Sequence, residues 1–312
     1  MYEIDKDRVI NLSLSMRDIF KAKKGSVWVS IDFSSQELRI AAALAKELVM
    51  LEAFLAPATI KHPITLEDVP NPVADLHIQA ATSIFTDLND VEPWDLDRVA
   101  RKTLPNGKNP RKMGKILNFS IIYGKGEQGF ADNFNVSVGE AKKILDKYFT
   151  KFHRLKAWLD YEANKGIYYK KVKTIYGRSI FIAEENAKGI RGIGSIKRKA
   201  PNSIVQGTAS DMTKLALKYM IEDSYLMKHI KILNSVHDEI NLEIPGEWWI
   251  KEVKTNSKGV TNYVYDCTDH TKELANRARE YMLKAESDLL SPLIGEPFPC
   301  EASMSIAPVW VH

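Results

Sequence analysis

The period of the apolar positions changes several times along the chain. Residues 26–32, SVWVSID, alternate apolar and polar, which predicts a strand that ends on a carboxylate. From Ser34 to Leu55 the apolar residues recur at helical spacing, with Ser34 or Ser35 as cap and Glu37 just behind it. Residues 56–74 are proline-rich and irregular, as in a surface insertion. DLHIQAATSIF (75–85) predicts a helix, a loop follows through Pro93 and LPNGKNP, and RKMGKILNFSIIYG (111–124) predicts another helix. Residues 138–166 read as one long helix stopped by Gly166. Residues 168–183 alternate on both sides of Tyr176-Gly177 and predict a hairpin. A helix opens at Pro201 and runs to Asp223, and two short strands in 228–245 meet near His237-Asp238. A polar hairpin-like insertion (252–266) and a helix over 270–290 complete the pattern. Strand, helical block, then strands and helices again predict an α+β fold interrupted by a helical subdomain.

Composition narrows this picture only in places. At 312 residues and 45% hydrophobic, the chain suffices for one large domain or two lobes. No apolar run approaches the ~20 residues of a membrane span, and no charged-then-apolar leader opens the chain, so no membrane partner is expected. Cys267 and Cys300 form neither a disulfide framework nor a metal-ligand spacing, which fits a reducing, cytoplasmic compartment. The net charge of +4 is unevenly spread: Arg101–Lys115 holds six cations and no acid, while Lys165–Arg178 and Lys188–Lys199 each hold five and none. Such blocks suit a polyanionic partner, and each alone also suits a solvated loop.

Within the helix of 111–124, Arg111, Lys115, Phe119 and Tyr123 stand four residues apart. Each step of four turns an α-helix by about 400°, so the file drifts by only ~40° per member. A helix N-terminus already attracts anions, so charge placement for helix stability does not explain the two cations. Two cations followed by two flat faces suit a triphosphate and then a sugar and base. An amphipathic helix with Ile116, Phe119, Ile122 and Tyr123 in the core is the other reading. Asp32 and Asp238 each close an apolar strand; on neighbouring strands they would repel unless a cation sat between them. All-oxygen ligation with few protein ligands suits Mg²⁺ bound together with substrate phosphates, and two such ions can clamp an in-line displacement.

Six ordered segments carry a resemblance. DFSSQELR (32–39), RKMGKILNFSIIYG and SVHDE (235–239) resemble the three polymerase motifs of family A DNA polymerases, and DLHIQAAT, TIYGR and RKAPNSIVQGTASD agree in order. The resemblance implies a palm with an antiparallel sheet plus helical fingers, divided as 1–60 palm, 61–196 fingers and 197–312 palm. It implies template-directed DNA synthesis from deoxynucleoside triphosphates on a primer-template, with two Mg²⁺ ions for which Mn²⁺ can substitute. Carried over by position, Asp32 and Asp238 with the carbonyl of Phe33 would bind metal. His77, Arg111 and Lys115 would meet the phosphates, Lys115 would protonate the leaving pyrophosphate, Phe119 would pack on the incoming sugar and base, and Tyr123 would stack at the insertion site. Glu37 would exclude a ribose 2′-OH, and His237 and Glu239 would flank the catalytic Asp238 near the primer end. Arg178 belongs to the TIYGR segment and counts with the DNA contacts. Arg198, Asn202 and Gln206 form a second four-residue file of donors, able to read the acceptors common to all base pairs in the minor groove, or else to face solvent.

Several positions depart from the pattern. Phe33, Ser35 and Gln36 stand where the family usually has Tyr, Gln and Ile, Gln36 putting an amide beside the gate, and Ser120 replaces a usual Gly. Only 31 residues precede Asp32, so thumb and exonuclease portions have no counterpart, and the expectation is palm plus fingers alone: a split-gene or phage-type product or a truncated form, its thumb or exonuclease supplied by another chain. A single-subunit RNA polymerase and a non-catalytic DNA-binding subunit of a split polymerase are the competing readings.

Overall fold

A computed structural model describes residues 19–104, 107, 109–182, 189–255 and 261–310. The tip of the 252–266 hairpin, parts of the 104–110 loop and Lys188 in the third basic block lie outside the described residues. The chain is α+β and divides into two compact units: one of Ser34 and the residues before it, Met212–Glu286 and the residues from Cys300 onward, the other of Ser35–Asp211 and Ser287–Pro299.

The first unit is built on a four-stranded antiparallel sheet in the order β10-β1-β7-β6, from β1 (Ser26–Phe33), β6 (Lys231–Val236), β7 (Glu239–Pro245) and β10 (Ala302–Ala307). Alternation sorts the two faces. Val27, Val29, Ile31 and Phe33 of β1 and Ile240, Leu242 and Ile244 of β7 are buried on one face. The other carries Trp28, Ser30 and Asp32 opposite Glu243, Asn241 and Glu239. That polar face is covered too, so its groups bond one another. Asn241 Oδ1 accepts from Trp28 Nε1 (2.7 Å) and Ser30 Oγ (2.6 Å), and Asn241 Nδ2 donates to Asn234 Oδ1 (2.8 Å). Strand β10 escapes the sequence pattern because ASMSIA mixes small and polar residues, yet it completes β1 from Trp28↔Ala307 to Phe33↔Ala302. A separate hairpin, β8 (Trp248–Thr255) with β9 (Thr261–Cys267), forms where the polar insertion is expected.

In the second unit the helix predicted over 34–55 is two helices, α1 (Gln36–Ala45) and α2 (Leu48–Leu55), and that over 138–166 is also two, α7 (Val138–Lys151) and α8 (His153–Tyr169). One buried carboxylate accounts for both breaks. Glu47 caps α2 by accepting from Val49 N (3.4 Å), and its other oxygen accepts from Leu155 N (3.0 Å) in the first turn of α8. Gly166 does not stop α8. Its missing side chain lets Ala200 approach, since a Cβ there would lie 2.4 Å from the Ala200 methyl. Ala200 belongs to α9 (Gly189–Glu222), which begins well before Pro201 and contains it.

The proline-rich stretch holds a small hairpin, β2 (Thr59–Lys61) with β3 (Asp68–Pro70). A 3₁₀ turn (Thr86–Asp90) and α4 (Pro93–Ala100) replace the expected loop, Pro93 standing in the first turn where its missing N–H costs nothing. Helix α3 (Leu76–Ile84) is capped by Asp75, α5 (Pro110–Ile122) by Asn109, and α6 (Glu127–Phe134) follows without a sequence signal read above. The expected hairpin is β4 (Lys171–Lys173) with β5 (Ser179–Phe181). The compact division falls at Ser34/Ser35 and Asp211/Met212. The reason is packing: α1 lies against α8, α2 and α5, and α2 against α3. Among the described residues no helix is long and apolar enough to cross a membrane.

Candidate active site

In the first unit, sheet register places the acids. Asp32 is the penultimate residue of β1 and pairs with Glu239 at the start of β7. Val236 pairs with Glu239, so His237 and Asp238 form the two-residue turn between β6 and β7. His237 has φ +56°, a left-handed conformation uncommon for a residue with a side chain and one that concentrates at functional turns. The turn is tied to β1, because Phe33 N–H donates to the Asp238 carbonyl at 3.2 Å. Asp32, Phe33 and Asp238 are thereby neighbours through the backbone alone, with both aspartates half-buried and His237 exposed. Glu239 differs. It is buried, and Oε1 accepts from Trp310 Nε1 (2.6 Å) and Asn241 Nδ2 (2.5 Å).

Two carboxylates and a backbone carbonyl make an all-oxygen set, the kind a hard divalent cation takes when substrate phosphates complete its shell. Among the described residues no cluster of three His, Cys, Asp or Glu side chains able to hold a metal forms. Two carboxylates and one carbonyl leave coordination positions that substrate phosphates could fill.

The second unit carries the helical file. In α5 the buried positions are Pro110, Met113, Gly114, Leu117, Asn118, Ser120, Ile121 and Ile122. Arg111 and Phe119 are half-buried, Lys115 and Tyr123 exposed, so the file lies off the core face. This decides against the core-facing reading of Phe119 and Tyr123. Arg111 Nε donates to Asp75 Oδ2 (2.6 Å), the cap of α3, two residues from His77. Lys115 Nζ lies 5.9 Å from the Phe119 ring, which stacks on Tyr123 (6.0 Å, 21°) and meets the His77 ring at 5.8 Å. Gly114 lets α5 and α3 come this close: a Cβ on it would stand 2.0 Å from the His77 carbonyl. Burial lowers His77 to about pKa 4; Asp75 pulls the other way, and Arg111 and Lys115 add to the lowering. The imidazole is thus neutral at pH 7.

Glu37, in the first turn of α1, is half-buried and accepts from the Tyr123 hydroxyl at 3.4 Å, which joins the expected gate to the file. Gln36 is buried and turned elsewhere, its amide donating to the Ala209 carbonyl (3.4 Å). Of the expected DNA contacts, Arg198 and Gln206 are exposed on α9, while Asn202 Nδ2 donates to Ile122 O (2.8 Å) at the end of α5. Arg178 is held on α9 through Asp211 Oδ1 (2.8 Å) and Gly207 O (2.9 Å). Asn118 and Tyr148, both buried, carry no role in the motif pattern. Asn118 lies on the buried stripe of α5 as Gly114 plus four, and a lone amide in that stripe is the signal that could have found it.

The architecture is that of a polymerase domain. It matches the POL domain of Pol1 from M. smegmatis, solved in complex with DNA primer-template and dNTP, at a TM-score of 0.66 and 23% identity, over 94% of this chain and 42% of that one. Residues 7–264 match DNA polymerase family A, and the chain belongs to that family. DNA polymerase I of Streptococcus pneumoniae (strain R6) is 29% identical over 224 residues, 70% of this chain and 22% of that protein. The thermostable DNA polymerase I of Thermus thermophilus is 26% identical over 234 residues, 75% of this chain and 24% of that one. The chain thus spans about a quarter of the length of these relatives.

Proposed function

We propose that this chain is the palm and fingers of a template-directed DNA polymerase, adding deoxynucleotides to a primer 3′ end. The observation that carries the reading is the backbone tie between Phe33 and Asp238, which sets two aspartates at adjoining strand ends in a chain of this family. The sheet unit acts as palm and the helical unit as fingers. Asp32, Asp238 and the Phe33 carbonyl hold divalent metal, two Mg²⁺ ions or Mn²⁺ in their place. Bound metal would activate the primer hydroxyl and offset charge on the leaving pyrophosphate. Arg111 exchanges Asp75 for the nucleotide phosphates, and Lys115 meets them from one turn on and gives a proton to pyrophosphate. Phe119 packs on sugar and base, Tyr123 stacks at the insertion site, and Glu37 occupies the space a 2′-OH would need. Glu239 and His237 hold the turn around Asp238, and Arg178, Arg198, Asn202 and Gln206 face the primer-template minor groove. The relatives named above are bacterial, so the same reading puts the chain in the cytoplasm of a bacterial or phage-infected cell.

Primer extension tests this with deoxy- or ribonucleoside triphosphates, with and without template. Template-dependent deoxynucleotide addition that ends in Asp32→Ala and Asp238→Ala is the expected result. Ribonucleotide preference, or extension by either variant at the wild-type rate, would overturn the reading.

A further inference from the structure

Behind the helical file, and outside every role assigned above, a buried chain of polar groups runs to His77. Asn118 and Tyr148 are each only 1% exposed. Asn118 Nδ2 stands 3.1 Å from the Leu76 carbonyl and 3.1 Å from His77 Nδ1, and its Oδ1 accepts from the Tyr148 hydroxyl at 2.9 Å. The Tyr148 ring is fixed in turn by stacking on Phe152 (4.4 Å, 28°).

Only one assignment of protons satisfies all of these contacts. The Leu76 carbonyl can only accept, so the amide nitrogen of Asn118, and not its oxygen, must face it. That nitrogen carries two hydrogens, one for Leu76 and the other pointed at His77 Nδ1. Nδ1 must then accept, which leaves the ring proton on Nε2. The opposite amide orientation would set oxygen against the Leu76 carbonyl, where no hydrogen lies between them. Protonating Nδ1 would set N–H against N–H inside the core.

We infer that Asn118 and Tyr148 are positioning residues that fix His77 as a neutral ring with its proton on Nε2, so that it donates one hydrogen bond to the nucleotide phosphates and does not meet them as a cation. The inference rests on the polymerase reading for the identity of the ligand, though not for the state of the ring. The charged groups facing His77 are Asp75 from its own cap and Arg111 and Lys115 from α5. With two cations already present, a third positive charge would be held against repulsion, whereas a neutral donor adds direction to the phosphate contact without that cost. Burial, which lowers the ring to about pKa 4, agrees with this geometry.

Two readouts test it together. Nitrogen NMR of the labelled chain, with His77→Gln to assign the signal, reports which ring nitrogen carries the proton. Nucleotide affinity on a terminated primer-template, from pH 5.5 to 8, reports what the lock does. The expected wild-type result is a protonated Nε2, a bare Nδ1 and an affinity flat across that range. Asn118→Ala should mix the tautomers and weaken nucleotide binding about tenfold, the worth of one well-placed bond to a charged partner. Tyr148→Phe keeps the stack and removes one hydroxyl; should Asn118→Ala fail to fold, it carries the test with a smaller shift in the same direction. A wild-type ring protonated on Nδ1 would overturn the inference, as would unweakened binding in both variants. Wild-type chain that binds no nucleotide would overturn the polymerase reading instead, and the nitrogen signals would still decide the state of His77.

Discussion

Asp32 and Asp238 are placed by backbone: a strand register, a two-residue turn and one hydrogen bond from Phe33 to the turn. Arg111, Lys115, Phe119 and Tyr123 are placed by helix geometry and then by where long side chains come to rest, Arg111 on Asp75 and Tyr123 on Glu37. The first arrangement cannot change without breaking the sheet. The second can change by exchanging one side-chain partner for another, at the modest cost of a half-exposed ion pair or a long hydrogen bond. In the proposed reading, the groups that need a fixed geometry for chemistry stand on strands, and those that would take up and release a substrate stand on an exposed helical file.

Removing the file's second cation should produce the largest effect on that side. Lys115→Ala is expected to slow single-turnover addition at saturating nucleotide by ~10²–10⁴-fold, the range for loss of a positioned acid. Arg111→Ala should chiefly weaken nucleotide binding, because the proposed role of Arg111 is to meet the nucleotide phosphates in place of Asp75. An unchanged single-turnover rate for Lys115→Ala would remove it from proton transfer.

Next comes the gate. Shortening Glu37 to Ala should relax the deoxy-over-ribo incorporation ratio about a hundredfold, equivalent to ~3 kcal/mol of overlap or desolvation. Gln36→Ile should leave the ratio unmoved, because that amide is buried against the Ala209 carbonyl. A ratio that responds to Gln36 and not to Glu37 would shift the gate by one residue.

The smallest effect concerns the scaffold of the helical unit. Glu47→Ala removes the caps of α2 and α8 together and should cost about 2 kcal/mol, roughly one for each cap. Urea unfolding would read this as a lower midpoint with the slope unchanged. A midpoint at the wild-type value would mean that the two helix breaks have another cause.

Glu47 also marks where the sequence stops being legible. The periodicity of 34–55 and 138–166 is helical throughout, and nothing local says that one carboxylate interrupts both stretches from 108 residues apart. Gly166 misled because a tertiary contact overrides the local signal: it makes room for Ala200 inside a helix. Pro201, which reads as a helix start, sits within α9 instead. Strand β10 was hidden because its small polar residues face a register that only β1 defines. The site was more legible than the fold, since the helical file and the two strand-end acids are local patterns that survive whatever packs behind them. Asn118 and Tyr148 were not, since a buried amide shows its meaning only once the carbonyl and the ring beside it are known.

Mn²⁺ binding reads the proposed metal-binding pair, Asp32 and Asp238, without relying on turnover. The ion would be titrated by electron paramagnetic resonance into chain carrying a terminated primer-template and the next nucleotide. Wild type, Asp32→Asn, Asp238→Asn and Glu239→Gln would be compared. The account predicts that both aspartate variants lose the tight Mn²⁺ site while Glu239→Gln keeps it, because the Glu239 carboxylate is engaged by Trp310 and Asn241 in the buried face of the sheet. Wild-type Mn²⁺ affinity in Asp238→Asn or Asp32→Asn would contradict it.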